Sequence, residues 1–431
     1  MEFKEIKEIL EGKTGNVKIR GWLHNKRSSG GIVFLIVRDG TGFIQCVARK
    51  ENVGEKILEE LDHLTLESTL EIEGEAKKDE RSPFGYEIEI KSTKILFKAY
   101  PDFPIQKKKM GVEHLLNYRH LWIRSRKMRN ILLVRAKVLE AAREWFKENG
   151  FLEVQPPIIV SAACEGGSTL FEVNYFGKKA YLSQSWQLYG EAFISSVGKC
   201  YTIAPSFRAE KSRTRRHLTE YWHLEAEMPF CDINELMKIE EELITHILHK
   251  VAEDCKDILK EFGRDEKYFL SIKPPFPRIN YKEAIEILKK DGVKIEYGDD
   301  IGADEERVLT QHFSTPFFLT HFPKKIKAFY HKPDPKNPEV TLSVDMLAPE
   351  GYGEIIGSGE RIKSYEELMK RIKEENLDFK DYEWYLDLRK WGACQHSGFG
   401  LGIERLVMWI LKLKHIRDAI AFPRLINRVY P

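Results

Sequence analysis

Two short stretches carry the residue types that bind phosphate. The first runs Phe207-Arg208-Ala209-Glu210, then the polar Lys211 to Arg215, then Arg216-His217-Leu218-Thr219-Glu220-Tyr221, closing at Glu225-Ala226-Glu227. Two strands joined by a cationic loop would place Arg208 and His217 on neighbouring strands facing one pocket. Guanidinium forks grip phosphate oxygens through paired bonds, and Tyr221 offers a ring face to a purine. A solvated basic hairpin has the same composition, so this stretch alone decides nothing. The second is Gly398-Phe399-Gly400-Leu401-Gly402-Ile403-Glu404-Arg405, leading into the apolar Leu406 to Leu413. No Gly-Lys-Ser/Thr follows, nor an acidic residue at the dinucleotide spacing, which excludes the P-loop and Rossmann readings. Glycines there allow backbone and nucleotide to approach closely, with Arg405 opening a helix toward phosphates.

Acidic and amide side chains supply the complementary chemistry. Asp345 and Glu354 are hard oxygen donors of the kind that hold Mg²⁺ against phosphates. Cys164-Glu165-Gly166-Gly167 and Ser183-Gln184-Ser185-Trp186-Gln187-Leu188-Tyr189 are candidate small-ligand segments. Taken singly, Glu165 is an ordinary loop glutamate and Gln187 an ordinary strand glutamine.

The elements that must position these groups fall into two parts. Between about 14 and 98, Val17, Ile19 and Gly21 alternate with polar residues, Val33 to Val37 is a continuous run, and Arg38-Asp39-Gly40-Thr41-Gly42 is a turn. Phe43 to Val47, Leu70 with Ile72, and Tyr86, Ile88 and Ile90 complete five short strands. A small closed barrel is expected over residues 1–104, with the OB-fold as the five-stranded candidate. Tyr100-Pro101-Asp102-Phe103-Pro104 breaks the pattern, and the basic Gln106-Lys107-Lys108-Lys109 begins a linker spanning 105–126. From Lys127 the period changes: Ile131, Val134, Val138, Ala142 and Trp145 mark a helix that stops at Asn149-Gly150. The rest, 127–431, reads as an α+β domain with a mostly helical insertion at about 232–300.

Composition narrows the class. With 431 residues, 42% hydrophobic and 32% charged, the chain is globular and large enough for two domains. Sixty-nine Lys+Arg against 67 Asp+Glu leave a formal charge of +2, uninformative about a polyanionic partner. The six cysteines stand singly, so neither a disulfide framework nor a structural zinc site is expected. No apolar run is long enough to span a bilayer, and the start lacks a signal-peptide core, which makes the cytoplasm the expected location.

With Gly150-Phe151-Leu152-Glu153-Val154-Gln155-Pro156-Pro157-Ile158-Ile159, the ordered set of three segments resembles motifs 1, 2 and 3 of the class II aminoacyl-tRNA synthetases. The details resemble the aspartyl/asparaginyl subgroup of archaeal and eukaryotic type, over essentially the whole chain. Motif 1 then spans about 127–159, motif 2 about 207–227 and motif 3 about 398–413. The resemblance implies an OB-fold anticodon-binding domain, an antiparallel catalytic sheet flanked by helices, and a homodimer through motif 1. It implies that Arg208 holds the α-phosphate of ATP, Glu210 lies near adenine, His217 and Arg405 contact the γ-phosphate, and Tyr221 stacks on adenine where the family usually has phenylalanine. Glu354, in Glu354-Ile355-Ile356-Gly357-Ser358-Gly359-Glu360-Arg361, is the stronger Mg²⁺ candidate beside Asp345; Gly357 stands where the subgroup often has serine. Glu165 and Gln187 are implied to bind the substrate's α-ammonium group.

Aspartyl members of the subgroup carry lysine where this chain has Gly190, and tend to aspartate where it has Glu225. Without that cation, a second carboxylate beside Glu225 is costly to bury. A carboxamide instead finds an acceptor in Glu225 and a donor in Arg361. L-asparagine, ATP and tRNA(Asn) are therefore the expected substrates, and the alternatives are an aspartyl or relaxed enzyme and a tRNA-independent asparagine synthetase. A catalytically inactive RNA-binding regulator sits poorly with Arg208, Glu210, His217, Glu354 and Arg405 together. On the barrel, Phe34 and Gln45 match positions that stack on and hydrogen-bond the central anticodon base. Lys26, Arg27 and Lys107 to Lys109 are candidate phosphate contacts.

Overall fold

A computed structural model describes residues 2–106, 110–165, 169–211 and 214–431. Lys107 to Lys109, Gly166, Gly167 and part of the Lys211 to Arg215 stretch lie outside these. The chain divides into two compact units, Met1–Tyr118 and Arg119–Pro431, so the division falls inside the segment read as a linker.

The first unit is the expected closed barrel. Its strands are β1 (Gly15–Ser29), β2 (Ile32–Arg38), β3 (Phe43–Arg49), β4 (Thr69–Lys78) and β5 (Tyr86–Phe97), in the order β1-β2-β3-β5-β4. Alternation with period two decides the two faces. Val33, Leu35 and Val37 of β2, with Ile44, Cys46 and Ala48 of β3, fill the interior alongside Ile19, Leu70 and Ile88. The residues between them face outward.

In the second unit, helix α1 (Arg126–Glu148) begins where the Ser125 side chain accepts from the Met128 amide at 3.3 Å. Its apolar stripe, Met128, Ile131, Val134, Val138, Ala142 and Trp145, enters the main core. Gly150, with φ of +73°, takes the left-handed conformation that turns the chain out of the helix. An eight-stranded sheet follows, made of β6 (Leu152–Glu153), β7 (Cys200–Phe207), β8 (Glu220–Pro229), β9 (Arg278–Asn280), β10 (Phe317–Thr320), β11 (Ser343–Ala348), β12 (Gly353–Glu360) and β13 (His396–Gly402). Their order is β9-β10-β11-β12-β13-β8-β7-β6. The six inner strands are antiparallel, as expected, whereas β9 and β6 at the two edges run parallel to their neighbours. The sheet is therefore mixed.

Helices α1, α3 (Ile233–Asp254) and α5 (Ile403–Ile410) contribute to one core with the sheet, while α2 (Gln187–Val197) and α4 (Ala303–Leu309) border the site. Asp232 caps α3, accepting from the Asn234 and Glu235 amides at 2.8 and 2.9 Å. That helix buries Leu236, Leu243, Ile244, Ile247 and Val251 in the same core as α1. The segment 232–300 is mostly helical, but its first helix is part of the central core and its strand β9 forms the sheet's edge. Along β8, Leu224 and Ala226 join the core while His223, Glu225 and Glu227 point to the opposite face, as does Asp345 between Val344 and Met346 on β11. That opposite face carries the site.

Candidate active site

A cleft of about 650 Å³ lies over the open face of the sheet. At one end the side chains are cationic. Arg208 lies just beyond the end of β7, its amide donating to the Thr219 carbonyl at 3.0 Å. His217 sits in the connection before β8. Neither is on a strand, contrary to the expectation; the hairpin ends at Phe207–Glu220, and both groups line the cleft from beyond that end. The Arg208 guanidinium lies 5.7 Å from the Tyr221 ring centroid and forms an ion pair with Glu165. Arg405, in the first turn of α5, donates from Nη1 to Glu354 Oε2 at 2.8 Å and to the Glu354 carbonyl at 3.2 Å. His217 Nε2 is 3.7 Å from a Glu210 carboxylate oxygen. Burial, reinforced by Arg405, lowers the His217 pKa and favours the neutral imidazole. Arg216 adds another guanidinium, bound to Glu306 of α4 and donating from Nη2 to the Glu354 carbonyl at 3.1 Å.

Glu354 and Asp345 converge across Gly357. A Cβ on Gly357 would lie 3.1 Å from Glu354 Oε1 and 3.8 Å from Asp345 Oδ1. Burial works against the Glu354 charge, but Arg405, Lys327 and Arg216 outweigh it and hold the carboxyl at about 2. Asp345 is tied by Lys327 Nζ at 2.7 and 2.8 Å; burial, opposed by Lys327 and aided by Glu354, raises it to about 7. Among the described residues no group of three or more His, Cys, Asp or Glu side chains can hold a metal alone. Two carboxylates beside the cationic end would suit Mg²⁺, which keeps waters and takes phosphate oxygens. With glycine at 357 the site has no hydroxyl there, only the space between the two carboxylates.

The other end of the cleft is small and buried. Glu225 accepts from the Ser185 hydroxyl and, at 3.2 Å, from the Trp186 amide. Burial pushes its carboxyl up to about 8. Arg361 Nη2 donates to Glu227 Oε1 at 2.7 Å. Glu165 accepts from the Tyr330 hydroxyl at 3.3 Å, opposite its contact with Arg208. Gln187 opens helix α2 and is not on a strand; the run from Ser183 turns into the helix through Ser185, whose Oγ accepts the Gln187 amide at 3.2 Å. Gly190, in the same helix, faces a closed wall. A Cβ there would meet Glu227 Cγ and the Trp186 ring at 2.9 Å.

The glycines of β13 serve a purpose the sequence reading did not anticipate. Added Cβ atoms would fall 2.0 Å from the Glu227 carboxylate at Gly398 and 2.4 Å from His223 Nε2 at Gly400. Gly398 and Gly400 thus admit side chains of β8 across the strand, and Gly400 and Gly402 also line the recess beside Arg405. Burial, reinforced by Arg208 and Arg405, pushes His223 down to about 3.

Ten expected residues thus line one cleft: Arg208, Glu210, His217 and Arg405; Glu165, Gln187, Glu225 and Arg361; Glu354 and Asp345. Tyr221 lines the adjoining recess with Arg208, His217 and Arg405. Phe34 and Gln45 belong to the other unit and share the barrel's outer face, Gln45 opposite Ile36 and Phe34 opposite Val47. Phe34 is half-buried outside the core with the Arg27 guanidinium 4.5 Å above its ring, and the buried Gln45 donates to Glu87 at 3.1 Å. The sequence reading missed Arg216, Glu227, Lys327, Tyr330 and Glu306 as site residues. Two of them carried a signal, since Arg216 precedes His217 and Glu227 falls two positions after Glu225 on one strand face.

A cleft that is cationic at one end and small, buried and polar at the other, on a mixed sheet, in a chain that also carries a five-stranded barrel, fits an amino-acid-activating enzyme with a nucleic-acid module. Residues 111–426 match the family of class II tRNA synthetases (D, K and N), and residues 17–96 match the OB-fold nucleic acid binding domain. The chain belongs to the class II tRNA synthetases. Its relatives include the asparagine–tRNA ligase of Pyrococcus abyssi, 53% identical over 99% of this chain and 98% of that one, and that of Thermoplasma acidophilum, 52% identical over 96% of each. A crystal structure of asparaginyl-tRNA synthetase from Pyrococcus horikoshii complexed with asparaginyl-adenylate matches all of both chains at 50% identity, with a TM-score of 0.96. A putative aspartyl-tRNA synthetase from Leishmania major Friedlin matches at 25% identity and a TM-score of 0.87, over all of this chain and 95% of that one.

Proposed function

We infer that the chain ligates L-asparagine to tRNA(Asn) through an asparaginyl adenylate, using ATP and releasing AMP and pyrophosphate. The observation that carries this reading is one end of the cleft: a buried carboxyl, Glu225, in a lining that also includes Arg361, with Gly190 walled in where a lysine would be needed for aspartate. The full-length likeness to asparagine–tRNA ligases supports it.

Glu225 is assigned to accept from the carboxamide NH₂ and Arg361 to donate to its oxygen. Glu165 and Gln187 take the α-ammonium group. The asparagine carboxylate oxygen then attacks the α-phosphorus of ATP in line, a P–O bond to pyrophosphate breaks, and the acyl phosphate anhydride forms. No protein nucleophile is needed, so rate comes from positioning and charge stabilisation. Arg208 is assigned to the α-phosphate, His217 and Arg405 to the γ-phosphate, Glu210 to the adenine end, and Tyr221 to adenine itself. Mg²⁺, held by Glu354 with Asp345 alongside, would neutralise the departing pyrophosphate when bound.

For tRNA, Phe34 and Gln45 are assigned to the central anticodon base. A homodimer through α1 and the segment after it is supported by Leu152 and Ile159, apolar yet 51% and 45% exposed in the single chain. No helix among the described residues is long and apolar enough to cross a membrane. The test is ATP–pyrophosphate exchange without tRNA, run with asparagine and with aspartate. Strong exchange with asparagine alone is expected; equal or better exchange with aspartate overturns the specificity.

A further inference from the structure

Gln187, assigned above to the substrate's ammonium group, has two unlike ends. Only its amide oxygen can accept an ammonium proton; the NH₂ end is a pure donor. Which end faces the cleft is decided by Glu191, one turn further along α2. Gln187 Nε2 donates to Glu191 Oε1 at 3.0 Å. The Tyr385 hydroxyl donates to the same oxygen at 2.7 Å. Arg389 pairs with Oε2, and His396 Nε2 lies 2.8 Å from it. Arg389 is itself anchored, donating from Nε to the Ile362 carbonyl and from Nη2 to the Tyr385 oxygen, both at 3.0 Å.

Glu191 has no exposed side-chain surface, yet each of its oxygens has two partners. Burial opposes the charge, but Arg389, His396 and Arg361 keep the carboxyl well below the usual range. An ionised carboxylate only accepts hydrogen bonds. Turning the Gln187 amide over would set two acceptors against each other with no water to separate them. The oxygen of Gln187 accepts no bond from any described residue, and its side chain lines the cleft.

We propose that Glu191 is a positioning residue that locks the Gln187 amide with its oxygen presented to the substrate's ammonium group. The proposal rests on the assignment of Gln187 to that group. Glu191 itself touches no substrate; it acts through one hydrogen bond, and Tyr385, Arg389 and His396 hold it in place.

A double-mutant cycle tests this in ATP–pyrophosphate exchange, with KM measured for asparagine and for ATP. In Glu191→Gln the neutral amide can offer either end to Gln187, so the orientation is no longer dictated. KM for asparagine should rise about tenfold, with KM for ATP changed by less than about twofold. In a Gln187→Ala background the same substitution should change KM for asparagine by less than about twofold. Single effects that multiply in the double variant would overturn the proposal, since Glu191 would then be acting on the fold. If Gln187→Ala alone leaves KM for asparagine unaltered, the ammonium assignment is what fails, and the proposal falls with it. Should Glu191→Gln not fold, Tyr385→Phe removes one donor from the same oxygen. About a threefold rise that vanishes without Gln187 is then expected, and a rise that persists overturns the proposal.

Discussion

Arg208 and Glu165 hold one another in an ion pair inside the cleft, although one is assigned to the α-phosphate of ATP and the other to the ammonium group of the amino acid. Each is thus the other's placeholder. A substrate that claims one must break the pair, and in doing so it releases the second group for the second substrate. Two ligands that each pay part of one common cost bind with positive coupling.

Asparagine should therefore tighten the binding of a non-hydrolysable ATP analogue by roughly fivefold or more, a coupling within the usual range for linked sites. Glu165→Gln should remove most of that coupling. Calorimetric titration of the analogue with and without asparagine measures it directly, and equal affinities in the wild-type protein would count against the exchange of partners.

Arg208→Ala should lower pyrophosphate exchange by ~10²-fold or more, because a charge partner of the transition state is lost. Thermal unfolding should change little, since Arg208 is partly exposed and pairs with another partly exposed group. A folded variant with normal exchange would remove Arg208 from the chemistry.

The discrimination between asparagine and aspartate should rise with pH. Glu225 stands at about 8, so below that value it is neutral and above it charged. Only the charged form repels a second carboxylate. The ratio of kcat/KM for asparagine over aspartate should climb between about pH 6.5 and 9, and flatten in Glu225→Gln. The stability term has the opposite direction. The folded pKa is raised from 4.5 to about 8, so this group costs stability as pH rises from about 4.5 to about 8 and adds no further cost above that.

Gly190→Lys should not yield an aspartate enzyme. Even a Cβ at this position meets the Trp186 ring and Glu227 at 2.9 Å, so Gly190→Ala should already destabilise the protein by about 1–3 kcal/mol through overpacking. Chemical denaturation of Gly190→Ala is the check, and an unchanged midpoint would show that the wall can move.

Phe34→Ala should raise KM for tRNA roughly tenfold, stacking being worth about 1–3 kcal/mol per base, and leave pyrophosphate exchange intact. Because the ring lies outside the barrel core, unfolding should be nearly unchanged. Loss of both activities together would make Phe34 a structural residue.

The barrel was legible because its signal is local: Val33 to Val37 and Ile88 with Ile90 alternate on a period that any closed sheet must obey. Motifs 2 and 3 were legible as residue types but not as geometry. His217 reads as a strand residue until the hairpin is seen to end at Phe207 and Glu220. Gln187 reads as a strand residue because nothing near it announces a helix; the partners that hold its helix, Tyr385, Arg389 and His396 on Glu191, come from distant segments. Lys327, Tyr330 and Glu306 lie in segments without any period or motif. They reach the cleft only because β10, β11 and α4 are brought to it by pairing across long loops, and such contacts leave no trace in neighbouring residues.

Gly398 and Gly400 work as keyways. The side chains of Glu227 and His223 occupy the volume that any larger residue on β13 would fill. In the observed alignment Gly398 stands opposite Glu227 and Gly400 opposite Glu225. A slip of one position would drive Phe399 into those side chains and turn the strand's apolar face toward the cleft. The two strands can therefore zip together in a single alignment. The spacing between the cationic end of the cleft and its small buried end is set as the sheet assembles, before any ligand is present to organise it.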